Sequence, residues 1–239
     1  MTGYLQSKQN GETNKKSLGN KNIYLDIRGV CFDMDDIIFD TEPLYKTAWQ
    51  QAGQEFGYEI NDNLYNQFIG LSTVECEKLL VNHFGSNFPV LDFRKRWQKI
   101  RQQKIEQESV SYKPGFVELI QFLKARDLKL GLATSSTRFE VETNFKNSEY
   151  LDYFDCVITS EEVTRGKPDP EIYLLIANRL GVEPRQLMVL EDSINGMQAA
   201  IAAGTIAVMI PDMLPPSPDI VESAYKIFHS LNEVMDMFT

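Results

Sequence analysis

Short, almost continuously apolar runs recur along this chain, separated by amphipathic stretches. The runs are Ile27 to Phe32, Leu128 to Ala133, Cys156 to Ile158, Leu187 to Leu190 and Ile206 to Ile210. A strand that is apolar at every position is one covered on both faces, as in a parallel sheet with helices on either side. Helical periodicity lies between the runs. It covers Phe116 to Ala125, then Glu171 to Leu180, which opens with Asp169-Pro170 and closes at Gly181, and then Gly196 to Ala203, which stops at Gly204. This alternation predicts an α/β fold: a Rossmann-like parallel sheet flanked by helices. The length of 239 residues and 43% hydrophobic content suffice for one sizeable core and a small second domain.

One region breaks the alternation. From Pro43 to about Ser111 there are helical signals and no convincing strand: Leu44 to Phe56, Thr73 to Phe84 and Leu91 to Glu108. The expected organisation is a polar tail over 1–22, a catalytic core over 23–40 and 113–239, and a small all-helical cap over 41–112. Trp49 and Trp97 are expected to pack the core of that cap. The basic stretch from Phe93 to Lys104 reads as a solvated helix face, and Met213 to Asp219, with its prolines, as an extended surface loop.

Charge and cysteine usage narrow the function classes. The net charge is -10, from 34 acidic against 24 basic residues. Such a surface repels nucleic acid and anionic lipid, so neither is an expected partner. The three cysteines, Cys31, Cys76 and Cys156, form no close pair, which speaks against a zinc site or a disulfide framework and for a reduced, cytoplasmic setting. No signal peptide or membrane-spanning run is recognised.

The chemistry is concentrated just after the strands. The first run leads into Asp33 and Asp35, the second into Thr134, Ser135 and Ser136, and the fourth into Glu191 and Asp192. Ligands of open parallel sheets bind beyond the carboxyl ends of the strands, so these groups are expected on one rim. Asp33 and Asp35, two apart, point to one side if strand geometry persists. Two carboxylates so close repel unless a cation lies between them, and an oxygen-rich set completed by Asp192 or Glu191 suits Mg²⁺. Taken singly, each of these residues reads as a loop former or a cap. Thr137 and Glu140 match a capping box, for example, which makes an ordinary helix start of the hydroxyl cluster before them. Their convergence favours metal and phosphate binding. Lys167, in the proline-stiffened Gly166-Lys167-Pro168-Asp169-Pro170, is placed to offset both the acids and an anion.

At these residues the chain resembles the haloacid dehalogenase superfamily, in the branch of phosphatases and phosphomutases with a helical cap. The matching pieces are Phe32-Asp33-Met34-Asp35 through Phe39-Asp40-Thr41-Glu42-Pro43, Leu132-Ala133-Thr134-Ser135-Ser136, Gly166-Lys167-Pro168-Asp169-Pro170-Glu171-Ile172-Tyr173, and Leu190-Glu191-Asp192-Ser193 with Asn195-Gly196. The resemblance implies a Mg²⁺-dependent phosphatase of a small phosphorylated metabolite, such as a sugar phosphate. Asp33 is then the nucleophile and Asp35 the general acid and base. Thr134 and the Ser135 amide bind the phosphoryl group, and Lys167 balances charge. Asp192 holds Mg²⁺ with Glu191, Asp33 and the Asp35 carbonyl. Glu42 and the 69–73 loop, with Thr73, are the expected substrate contacts from the cap.

Three alternatives stand beside this reading. A dehalogenase needs no second Asp, so Asp35 speaks against it. A β-phosphoglucomutase carries a cap Arg for the second phosphate where this chain has Thr73, a far weaker anion ligand. Asp36 replaces the family's usual Gly, which raises the third option, a catalytically impaired binder of a phosphometabolite. A monomer or weak homo-oligomer is expected.

Overall fold

The apolar runs pair side by side in the computed structural model, which describes residues 25–238 except 70, 72 and 109. In chain order the elements are β1 (Gly29–Phe32), α1 (Glu42–Glu55), α2 (Asp62–Tyr65), α3 (Thr73–Phe84), α4 (Val90–Glu108), α5 (Phe116–Lys124), β2 (Lys129–Ala133), α6 (Arg138–Asn144), β3 (Cys156–Ile158), α7 (Glu171–Leu180), β4 (Leu187–Glu191), α8 (Ile194–Ala202), β5 (Ile206–Met209), α9 (Pro218–Ser223) and β6 (Lys226–Ile227). The sheet has six strands in the order β3-β2-β1-β4-β5-β6, every pair parallel. The polar tail expected over 1–22 lies outside the described residues.

Alternate residues of each strand feed two apolar layers. Val30, Phe32, Leu130, Leu132, Met188 and Leu190 face α5 and the C-terminal turns around Leu231 and Val234. Cys31, Leu187, Val189, Ala207 and Met209 face α7, α8 and α9. Every residue of β1 and β4 is buried, which explains why these runs are apolar up to Glu191 at the end of β4. Phe32 pairs with Leu132 on one side and with Leu190 on the other. The ends of β1, β2 and β4 therefore lie level, at the point where the strand order reverses.

Helices α1 to α4 enclose a third apolar cluster, built on Trp49, Tyr65, Phe68, Leu80, Phe93 and Trp97. The two indoles lie 5.4 Å apart between ring centres.

Sequence and structure differ in four places. α9 begins at Pro218, inside the stretch read as a loop, with its proline in the first turn, where no N–H is needed. The two-residue β6 is too short to carry a periodicity. The four-residue α2, capped by Asn61, carries too few positions to show one either. The basic face of α4 is not uniformly solvated: Arg101 is buried, and its guanidinium pairs with Glu140 of α6. Arg94 and Arg96 pair with Glu77 and Glu55.

Candidate active site

Helix starts aim the side chains at the strand rim. Thr137 caps α6: its hydroxyl accepts from the Glu140 amide, and the Glu140 carboxylate accepts from the Thr137 amide at 2.8 Å. That reciprocal cap holds residues 134–136 in the bend between β2 and α6. Thr134 is buried, its hydroxyl accepting from the Ser136 amide at 3.0 Å, whereas Ser135 is exposed. Ser193 caps α8 in the same manner, accepting from the Gly196 amide at 3.0 Å.

Lys167 reaches the rim from the loop before α7. Its ammonium donates to Asp33 Oδ1 at 2.5 Å, to Glu191 Oε1 at 2.6 Å and to the Ala133 carbonyl at 3.4 Å. Glu191 is wholly buried and also accepts from the Tyr173 hydroxyl and from Ser193 Oγ. It lies against the first turn of α8, where the helix dipole favours an anion. Only Gly fits beneath it: a Cβ on Gly196 would lie 2.0 Å from the Glu191 carboxyl group.

Burial works against every charge here. It opposes the Lys167 ammonium, but the Asp33 and Glu191 carboxylates outweigh it, so Lys167 stays protonated well beyond its ordinary range. Burial pushes Asp33 up, against the pull of Lys167 and with help from Glu191 and Asp35. Asp192 is pushed well up by burial and by repulsion from Glu191 and Asp33. One ammonium faces three carboxylates, and a second cation would relieve the remaining repulsion.

Asp33, Glu191 and Asp192 each offer a carboxylate oxygen, all within 4.8 Å of one another, and could hold a metal ion. The Asp35 carboxylate is not in that group. β1 ends at Phe32, so the two-residue period does not continue. The chain turns instead, with the Ile38 and Phe39 amides both donating to the Met34 carbonyl. Asp35 Oδ2 accepts from Ser136 Oγ at 2.9 Å. Its Oδ1 is buried and has no hydrogen-bond partner among the described residues.

Beside Asp35 opens a cavity of about 240 Å³ lined by Glu42, Tyr45, Trp49, Tyr65, Thr73 and Trp97, among others. Both indoles thus serve the apolar cluster and the cavity wall. Glu42 accepts from the Tyr65 hydroxyl, and burial raises its carboxyl above the ordinary range. Glu42 also borders a second cavity with Asp36 and Asp192.

Sequence reasoning counted Ser136 only as part of the hydroxyl cluster and assigned no role to Tyr45 or Tyr173. Ser136 and Tyr173 stand inside motifs already singled out, but nothing in their spacing names a partner. Tyr45 shows only helical periodicity.

The family model of haloacid dehalogenase-like hydrolases matches residues 30–210. This chain belongs to that family. It is 32% identical over 207 residues to a phosphorylated carbohydrates phosphatase of Thermotoga maritima, covering 87% of this chain and 88% of that one. To a fructose-1-phosphate phosphatase of Escherichia coli it is 30% identical over 181 residues, 75% and 94% of the two chains. A Thermotoga maritima protein provisionally assigned as a β-phosphoglucomutase has a crystal structure that superposes with a TM-score of 0.75 at 30% identity, covering 89% of this chain and 98% of that one.

Proposed function

We propose that this chain is a Mg²⁺-dependent phosphatase of a small phosphorylated metabolite, with a sugar phosphate as the substrate class. The observation that carries the reading is Lys167 held between Asp33 and Glu191, with Asp192 within reach of both acids. Buried carboxylates gathered with one ammonium are costly unless they serve a charged ligand.

Asp33 attacks phosphorus, and the ester P–O bond breaks as the Asp33–phosphorus bond forms. The leaving oxygen takes a proton from Asp35, which borders the cavity where the alcohol would lie. Ser136 holds the Asp35 Oδ2 and fixes the carboxyl orientation. Asp35 then takes a proton from water as that water attacks the aspartyl phosphate, which releases inorganic phosphate and restores Asp33. Thr134 and the Ser135 amide receive the phosphoryl oxygens at the start of α6. Lys167 pulls Asp33 toward its ionised form, against burial, and balances charge on the phosphoryl group. The donor set at the rim is all oxygen, as Mg²⁺ requires: the carboxylates of Asp33, Asp192 and Glu191 would hold it, and the family resemblance adds the Asp35 main-chain carbonyl. A bound Mg²⁺ neutralises charge that develops on the phosphoryl oxygens.

Hydrolysis is favoured over phosphomutase action by the cavity wall. Among the described residues, those lining it include no Lys or Arg, and the nearby Arg101 is engaged by Tyr45 and Glu140. A second phosphate has no cation there to hold it. Glu42, Thr73 and the aromatic wall instead suit a neutral polyol, through hydrogen bonds and flat apolar contact.

The test is release of inorganic phosphate from a panel of hexose and pentose monophosphates and an aryl phosphate, with and without Mg²⁺. Turnover is expected with Mg²⁺ and without any bisphosphate activator. Asp33→Asn is expected to abolish it, and an Asp33→Asn protein that turns over at the normal rate overturns the mechanism.

A further inference from the structure

Asp36 stands where the family usually has Gly, and its side chain makes contacts that no Gly could make. Its φ is 58°, in the left-handed region that Asp tolerates better than most residues. Its Oδ1 accepts from the Thr41 amide at 3.0 Å, the Glu42 amide at 3.2 Å and the Thr41 hydroxyl at 3.4 Å. Thr41 is the residue that should cap α1, but its own side chain makes no cap hydrogen bond, and its backbone is helical rather than extended. Amides at the start of α1 are therefore satisfied from outside the helix, by a carboxylate in the loop that carries Asp35. An anion there also gains from the helix dipole. The first turn of α1 holds Glu42 and Tyr45, both on the wall of the aromatic cavity. Asp36 lines that cavity and also the neighbouring one that contains Asp192.

We propose that Asp36 is a positioning residue: its carboxylate anchors the first turn of α1 to the loop bearing Asp35, and so sets where Glu42 and Tyr45 stand relative to the proton-transfer oxygen. The proposal rests on the phosphatase reading only for the role of Asp35. The anchor works through an acceptor oxygen. Asn supplies the same oxygen and accepts a left-handed φ, whereas Gly suits the φ and removes the anchor. Asp36→Gly therefore folds, and it isolates the contact.

Two measurements test this on the full chain. The first is amide hydrogen exchange at Thr41 and Glu42, which needs no activity. Exchange is expected to quicken about tenfold in Asp36→Gly, the effect of losing a cap of ordinary strength, and to return toward the wild-type rate in Asp36→Asn. The second compares a hexose monophosphate, which fills the cavity, with acetyl phosphate, which does not reach the α1 turn. Asp36→Gly is expected to raise KM for the sugar phosphate about tenfold, with a smaller change for acetyl phosphate and rescue by Asp36→Asn. Unchanged exchange in Asp36→Gly overturns the anchor. So does an Asp36→Asn protein that behaves like Asp36→Gly, or a loss of equal size for both substrates. A wild-type protein that cleaves neither ester overturns the phosphatase reading instead, and the exchange result still decides the anchor.

Discussion

At the scale of single residues, the site is a problem of charge in a dry place. Lys167 and Glu191 are both shielded from water, and each needs the other. Breaking such a pair costs about 3–5 kcal/mol, because the remaining charge stays buried. Tyr173 and Ser193 add hydrogen bonds to Glu191, so its position is over-determined. Gly196 then has no freedom to change. In Gly196→Ala the new methyl group must displace a carboxylate that is held on three sides. Urea unfolding is expected to show a loss of about 1–3 kcal/mol, the usual cost of overpacking, despite the better helix propensity of Ala. Lower phosphatase turnover should accompany it, because Glu191 can move only by loosening Lys167. A fully stable and fully active Gly196→Ala protein would mean that this contact does not constrain the site.

At the scale of elements, the rim is built by helix starts as much as by strand ends. α6 and α8 each begin with a side-chain cap, from Thr137 and Ser193. The Thr137–Glu140 box was readable from its spacing alone, because capping is local and depends on a few successive residues. Thr137→Ala is expected to cost about 1 kcal/mol in urea unfolding, as lost N-caps do. The same change frees the 134–136 bend, so inhibition by inorganic phosphate should weaken along with stability. If stability falls while phosphate inhibition is unchanged, the cap supports the helix but not the phosphate-binding bend. The Asp33–Asp35 reading belongs to this scale as well, because it depended on strand geometry. Strand periodicity is a property of paired strands, and pairing of β1 stops at Phe32. Beyond that point main-chain hydrogen bonds to the Met34 carbonyl decide the directions, which the spacing of two acids does not reveal.

At the scale of the whole molecule, the links that join the helices of 42–108 to the sheet include Asp36 at the start of α1, and then Arg101 of α4 paired with Glu140 of α6. Glu140 is also the acid of the α6 cap, so the second link ends on the helix that presents Thr134. Metal binding should be felt across the molecule as well. Burial and mutual repulsion raise Asp33 and Asp192, and a divalent ion removes that repulsion only in the folded state. Melting in Mg²⁺ at about 100 times its Kd is expected to show a gain of about 2.7 kcal/mol over the same protein in chelator, by linkage. Asp192→Asn should lose most of that gain. An equal gain in Asp192→Asn would place the stabilising ion elsewhere.

What the amino-acid order determined by itself is what depends on near neighbours: the buried strands, most of the helices, the caps and the α/β class. It also placed Asp33, Thr134, Glu191 and Asp192 on one rim, because parallel strands with level ends leave no other arrangement. Only the tertiary structure decided partners: Ser136 with Asp35, Tyr173 with Glu191, Arg101 with Glu140 and Asp36 with the start of α1. Apart from that last pair, these contacts join residues far apart in sequence, and even Asp36 and Thr41 meet only because the loop after β1 folds back. Their distances are set by packing between elements, to which no local pattern corresponds.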